Sequence, residues 1–323
     1  YKKDSLFLLT IGTIVVLVSG VYVWPMWTGH FAGGFKINPW IEVPEYYEEV
    51  DRWLSEKGAD FRIIHVPLLP GDGVRYNWLN SYQGLEPSEY LFNYSSISRN
   101  VGVNKPFYNI LLERFDSFQS NVFGPDPDTS SSDFRGNTLA EELAKLNIRY
   151  IVLHNDIDHK LAGSKSSEET EQFLLEQEKI QKVKSFGKLD IYEVDIPDSI
   201  SSLYSPDIKI VYIKKNPTEY LAKVKNAKEP FDIYFLNLFN DGWEAYVDGK
   251  KLDNHYKVFS YANAWNIDKR GNFDILIKYA PQDSVILGTK ITKITLLLVF
   301  TLLGIQLLRK KGKTNNKILG GKK

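Results

Sequence analysis

The stretch TLAEELAKLNIRYIVLH, Thr138 to His154, decides the fold. Thr138 followed three residues later by Glu141 is a helix-opening capping box, and Leu139, Leu143 and Leu146 share one face of the helix it starts. The helix runs directly into RYIVLH, whose unbroken apolar middle suits a strand buried on both faces. Helix then buried strand predicts an α/β layer.

The same theme recurs on either side. Upstream, Pro44 at the first helical position, Tyr46, Val50, Trp53 and Leu54 at helical spacing and Gly58 as a stop predict a surface helix before the strand FRIIHV, Phe61 to Val66. Downstream, the capping box Ser166 to Glu169 opens a helix expected to carry Phe173, Leu174, Ile180 and Val183, followed by the strand LDIYEV from Leu189. Strands alternating with helices imply at least partly parallel pairing.

Past Pro197 the rhythm changes to short alternating runs: IKIVYI from Ile208, EYLAKV from Glu219, FDIYFL from Phe231, WEAYV from Trp243, YKVFSY from Tyr256 and FDILIKY from Phe273. Turn signals at Asn216-Pro217, Asp248-Gly249 and Arg270-Gly271 separate them, as in an antiparallel sandwich. In the hairpin that starts at Trp243, Ala245 and Val247 share Trp243's face, Glu244 and Tyr246 take the other, and Asp248-Gly249 suits a type I′ turn. Trp243 is therefore expected in the core.

Both ends read as membrane spans. Residues 5–24 contain no charge, and residues 287–308 are mainly apolar with Lys290 and Lys293 as their only charges, near one end where long side chains snorkel. About 20 residues cross a bilayer core. Lys2 and Lys3 precede the first span, and seven cations with no acid follow the second, in the basic tail 309–323, so both termini are expected in the cytoplasm.

The expected class is thus membrane-anchored α+β. Two transmembrane helices flank an extracytoplasmic α/β domain, 25–199, and an antiparallel β-sandwich, 200–286. The zero net charge of the 323 residues hides an external part with 29 basic and 39 acidic groups, which excludes a nucleic-acid partner of the usual basic footprint. No cysteine occurs, so disulfides and thiolate metal sites are excluded. The chain opens on Tyr1 rather than methionine, and the expectation is a piece of a longer membrane protein whose last two spans these are.

Candidate sites are few. RYNWLNSYQG, Arg75 to Gly84, mixes Tyr76, Trp78 and Tyr82 with Asn77, Asn80 and Gln83, giving flat apolar faces beside amide donors and acceptors. These six are the glycan-contact candidates, with aromatics that pack a long loop onto the sheet as the alternative. His154, Asp156, Asp158 and His159 are residue types that ligate metals, but their spacing fits no metal signature, and they stand as weak candidates only. GPDPDTSSSD, Gly124 to Asp133, lacks the order of a calcium loop, and Gly71-Asp72-Gly73 lacks the third glycine of a dinucleotide fingerprint. Asn93-Tyr94-Ser95 fits a glycosylation sequon. No catalytic constellation and no cofactor motif is present.

The blocks WPMWTG, VPEYYEEVDRWL, FRIIHVPL, YNW, ELAKLNIRYIVLH, LDIYEV, NPTEYLAKVKNAKEPF, DGWEAYVDGK and KYAPQ come in an order covering nearly the whole chain. Together they resemble the C-terminal ectodomain and last span of bacterial and archaeal multi-pass membrane proteins of the GT-C glycosyltransferase-like type, the YfhO-like and arabinofuranosyltransferase-like group. In that family a polytopic N-terminal half carries an acidic catalytic loop and takes sugar from a polyprenyl-phosphate donor. No position here matches that loop, so no catalytic residue is carried over. The resemblance implies an accessory external module, with the bilayer, the upstream multi-pass domain and a lipid-linked sugar or glycan acceptor as partners. The alternative is a structural or protein-interaction ectodomain.

Overall fold

A computed structural model describes residues 2–23, 41–58, 60–69, 73–79, 81–99, 108, 111, 114–115, 136, 138–197 and 200–319. After helix α1 (Lys2–Tyr22), the chain builds helix α2 (Tyr46–Ser55), strands β1 (Arg62–Leu69), β2 (Gly73–Tyr76) and β3 (Tyr82–Leu85), the single turn α3 (Ser88–Leu91) and β4 (Ser96–Arg99). Next come α4 (Leu139–Lys145), β5 (Ile148–His154), α5 (His159–Ala162), α6 (Ser167–Leu175), β6 (Ile180–Phe186) and β7 (Leu189–Val194).

Five of these strands form one mixed sheet in the order β4-β1-β5-β7-β6. β1 pairs in parallel with β4 and β5, while β5–β7 and β7–β6 are antiparallel. The expected burial of RYIVLH on both faces holds. Ile64, Val66, Ile151 and Leu153 pack under α4 and α6 with Leu139, Leu143, Leu146 and Leu174. Ile63, Val152 and Ile191 face the other way, against Tyr47, Val50 and Leu54 of α2. Helix α2 starts two residues past Pro44, whose carbonyl accepts from Tyr47 N at 3.1 Å, so Pro44 precedes the helix rather than opening it.

One predicted helix was too long. The Ser166–Glu169 capping box is present, but α6 ends at Leu175, and Ile180 and Val183 lie in β6, an edge strand. Their spacing from Phe173 and Leu174 imitates a helical face. The chain leaves the helical path at Lys179, with φ +64°, and enters the β6–β7 hairpin, which turns at Gly187 with φ +51°, where a side chain would overlap the Tyr46 ring. The aromatic stretch from Arg75 is likewise not an irregular loop: β2 and β3 pair antiparallel, with Tyr76 opposite Tyr82.

The remaining strands are β8 (Leu203–Tyr204), β9 (Ile210–Asn216), β10 (Glu219–Ala227), β11 (Phe231–Leu238), β12 (Trp243–Val247), β13 (Lys250–Lys251), β14 (His255–Val258), β15 (Ala262–Ile267) and β16 (Gly271–Tyr279). They form two antiparallel sheets, β13-β12-β16-β10-β9 and β14-β15-β11-β8. Between the sheets, Tyr220, Val224, Phe231, Ile233, Phe235, Trp243, Trp265 and Ile275 make the core. β12 alternates buried and half-buried as expected, and Asp248 and Gly249 both have positive φ, 49° and 79°. Strand β15 was not anticipated; its second residue, Asn263, is polar yet buried, donating to the Asn237 and Leu238 carbonyls.

Arg62 of β1 ties the sandwich to the mixed sheet. Its guanidinium donates to the Leu146 and Leu236 carbonyls and to Asn237 Oδ1, and it lies over the Tyr261 ring, whose hydroxyl reaches the Lys145 carbonyl at 2.8 Å. Beyond β16 the chain enters α7 (Pro281–Leu319). Pro281–Ile305 is long and apolar enough to cross a membrane. In α1 the described apolar part, Thr10–Tyr22, is shorter than a span.

Candidate functional site

The β2–β3 hairpin rests on a buried polar cluster at the end of β5. Asp156 Oδ2 accepts from Tyr46 Oη at 2.8 Å, Tyr47 Oη at 3.0 Å and Trp78 Nε1 at 2.7 Å. His154 Nδ1 lies 3.2 Å from Tyr47 Oη, and His154 Nε2 lies 2.9 Å from His65 Nδ1. Helix α2 supplies both tyrosines because positions 46 and 47 sit in its first turn, facing the end of β5.

Counting donors orients the Tyr47 hydroxyl. A carboxylate only accepts, so the one hydroxyl hydrogen of Tyr47 goes to Asp156, and its oxygen accepts from His154 Nδ1–H, which also faces Asp156 Oδ1 at 3.5 Å. His65 Nε2, on the far side of the ring from His154, is buried without a hydrogen-bond partner. Burial pushes Asp156 up, but hydrogen bonds from His154, Trp78 and Tyr46 outweigh it and hold the carboxyl below its usual range. Burial, with His154 beside it, holds the His65 imidazole well below its ordinary value. Burial and then the Asp156 charge raise Tyr46; burial also raises Tyr47. The cluster thus holds an ionised carboxylate beside two imidazoles away from solvent, where their hydrogen bonds tether α2, β1, β5 and the β2–β3 hairpin.

The hairpin is fastened to this cluster. Asn77 N donates to the Asp156 carbonyl at 2.7 Å and Asp158 N to the Arg75 carbonyl at 2.9 Å. Tyr76 and Trp78 pack ring to ring at 4.5 Å, and Trp78 meets the Tyr47 ring edge-on at 5.3 Å. Tyr76 Oη also reaches the buried Glu86 carboxylate at 2.7 Å. Of the six predicted contact residues, Tyr76 and Trp78 therefore point inward as the hairpin's anchor. Asn77 and Gln83 are exposed and Tyr82 is half-buried, stacked on Trp78 at 5.7 Å. Asn80 lies outside the described residues.

The weak metal candidates separate. His154 and Asp156 join the cluster, whereas Asp158 caps α5 through Leu161 N, and His159 turns to Ser164 and Ser167. Among the described residues no three His, Cys, Asp or Glu side chains are grouped to hold a metal ion. His65, Tyr46, Tyr47 and Glu86 had not been singled out as polar-cluster residues. The sequence signal for His65 was a polar residue inside the apolar strand FRIIHV; its partner lies 89 positions away. The loops at Gly124–Asp133 and Gly71-Asp72 lie outside the described residues.

Comparison with known proteins finds likenesses at low identity. The chain is similar to the solved structure of arabinofuranosyltransferase AftD from Mycobacteria, with TM-score 0.38 and 12% identity over 83% of this chain and 32% of that chain. A mutant form of that protein gives TM-score 0.39 and 11% identity, covering 84% and 34%. The C-terminal globular domain of an oligosaccharyltransferase from Archaeoglobus fulgidus gives TM-score 0.24 and 13% identity, covering 48% of this chain and 100% of that one. The chain thus spans about a third of the mycobacterial protein's length. No match was found among curated proteins. The family model for alpha-(1->3)-arabinofuranosyltransferase, N-terminal GT-C domain, matches residues 4–230, well over half of the chain, and the chain belongs to this family of GT-C glycosyltransferase-like membrane proteins.

Proposed function

We propose that residues 25–286 are the extracytoplasmic, glycan- or acceptor-contacting part of a membrane glycosyltransferase-like protein that uses polyprenyl-phosphate sugars in envelope glycan synthesis. Helices at 5–24 and 287–308 anchor it, both termini are cytoplasmic, and a multi-pass domain of the same protein carries the chemistry. The family match over residues 4–230 supports the coarser part of this reading, a glycosyltransferase-like membrane protein of envelope glycan synthesis. The apolar helix Pro281–Ile305 and the basic residues after it support the anchor and its direction. The contact itself is assigned to the β2–β3 hairpin, where Asn77, Tyr82 and Gln83 stand at the surface over the packed Tyr76 and Trp78. A rigid base under exposed amides is what an open, weak glycan contact requires.

A photo-crosslinking residue at Gln83, with Asp253 as the control position, tests this in cells. Glycan or lipid-linked sugar captured at 83 and not at 253 is expected. The burial of Tyr76 and Trp78 favours a second reading, in which the hairpin is only structural and the ectodomain serves protein contacts. Capture of protein alone at 83 would establish that one instead.

A further inference from the structure

The passage from the sandwich into α7 is a clamped joint. Strand β16 ends at Tyr279 and α7 begins at Pro281, so Ala280 alone connects them. Two connections of the sandwich close on that point. Tyr279 N donates to the Thr218 carbonyl in the β9–β10 turn at 2.9 Å, and Ala280 N donates to the Gly242 carbonyl between β11 and β12 at 2.8 Å. Lys278 Nζ reaches Asp283 in the first turn of α7 at 2.7 Å, and the Tyr279 ring packs on Trp243 at 5.2 Å. Glycine is what fits at 242: a Cβ there would lie 2.7 Å from the Tyr279 ring and 3.0 Å from Pro281 Cδ. Held by both connections, Ala280 cannot act as a free swivel.

The length of α7 sets the level of this joint. Its apolar part, Pro281–Ile305, is 25 residues and rises about 37 Å, more than the roughly 30 Å of hydrocarbon that a span must cross. The surplus falls to the first turn, where Gln282, Asp283 and Ser284 are polar and precede the apolar run from Val285. Pro281 and the two connections that meet it therefore stand at the level of the lipid headgroups, which extend a bilayer to about 40–45 Å. The surface at that level mixes apolar tips with cations. Leu238 is 40% exposed, and the half-buried Phe239 lies under Lys257 Nζ, 5.3 Å from its ring centre. On the other side Pro217 is exposed and Lys214 Nζ lies 5.9 Å from the Tyr220 ring centre. Both lysines are exposed.

We propose that this end of the sandwich is a lipid-contact surface. Leu238 and Phe239 enter the headgroup layer, Lys214 and Lys257 donate to lipid phosphates, and the β16–α7 joint holds the sandwich at one tilt over the bilayer. An aromatic ring with a long cationic side chain beside it suits a membrane interface, where the ring meets the acyl boundary and the ammonium reaches the phosphate. The proposal rests on the reading of α7 as a membrane anchor and is independent of any glycan contact.

The chain contains no cysteine, so single spin labels are unambiguous. Labels at Asp241→Cys, beside the joint, and Asp268→Cys, in the turn before β16, are both exposed and are separated by the length of that strand, about 30 Å. The full chain is placed in nanodiscs whose lipids carry nickel-chelating headgroups, and relaxation of each label by the nickel is measured. Relaxation at 241 should exceed that at 268 at least threefold, and a ratio near one would overturn the lipid contact. Inserting Gly-Ser-Gly between Ala280 and Pro281 leaves the contacts within the sandwich in place and should at least halve the ratio; an unmoved ratio would overturn the rigid joint. In that linker variant only the surface holds the sandwich down, so Lys214→Gln with Lys257→Gln should bring the ratio to about one, and no change would overturn the phosphate contact. A label at Leu297→Cys, inside the span, should relax with oxygen and not with an aqueous nickel chelate. Relaxation there by the aqueous chelate would remove the anchor itself, a failure distinct from the other three.

Discussion

Replacing Trp243 by alanine probes the sandwich core. The ring is 9% exposed and contacts Phe235 at 4.7 Å, Tyr279 at 5.2 Å and Tyr220 at 6.3 Å, each at a steep interplanar angle. A buried aromatic side chain removes roughly 150–250 Å² from water. At about 25 cal/mol per Å² that is about 4–6 kcal/mol, an upper bound because the unfolded chain already buries part of it. Measured aromatic-to-alanine changes in cores cost about 3–5 kcal/mol, and the same is expected here. Denaturant unfolding of the chain in detergent, followed by far-ultraviolet circular dichroism, measures it. Trp53, half-buried on α2 with Lys57 over its ring, serves as the reference, and Trp53→Ala should cost less than half as much. A Trp243→Ala loss below about 1 kcal/mol would refute the reasoning, because such a value belongs to an exposed residue.

Other positions test the cluster and the turn beside it. Tyr47→Phe removes the donor to Asp156 and the acceptor for His154 in one step and should cost about 1–3 kcal/mol, with red-shifted Trp78 emission as the local readout. Gly187→Ala should cost at least about 1–3 kcal/mol from its left-handed backbone alone, and more because Tyr46 must move; unchanged unfolding would show that the β6–β7 turn is misplaced. Acid should weaken the fold in two steps. His65 has a folded value below its ordinary 6.5, so stability is whole above pH 6.5 and declines as pH falls below it, by at most about 1.4 kcal/mol per pH unit for one proton. Asp156, also depressed, adds a second loss only below its ordinary 3.8. His159 and His255 shift in the same direction as His65, so His65→Asn, which keeps a hydrogen-bonding group toward His154, should flatten but not abolish the decline between pH 6.5 and 5. An identical decline in the variant would exclude His65 as its source.

Local chemistry was readable where it determines structure by itself. The 138–154 stretch announced a helix and a strand buried on both faces, and Asp248-Gly249 announced its turn, because capping, periodicity and positive φ are properties of neighbours in sequence. Ile180 and Val183 misled because two residues at helical spacing look alike in a helix and in an edge strand, and only pairing with β7 distinguishes them. β15 escaped because Asn263 is buried by hydrogen bonds to a strand some 26 positions earlier. The site was legible in composition but not in direction. The stretch of tyrosine, tryptophan and amides was visible, yet what turns Tyr76 and Trp78 inward is an aspartate at 156 and a glutamate at 86. His65 and His154 join that cluster from strands adjacent only in the folded sheet.

The central claim, that the external part contacts glycan through the surface of the β2–β3 hairpin, is tested most directly by saturation-transfer NMR. Saturating the chain in nanodiscs at pH 7.5 and observing a neutral arabinofuranosyl oligosaccharide should give transfer to the sugar ring protons, at a dissociation constant near millimolar, about 4 kcal/mol. The transfer component lost in Tyr82→Ala and Gln83→Ala should survive in Trp53→Ala. Transfer that is absent, or that is unaffected by both hairpin substitutions, would contradict the claim.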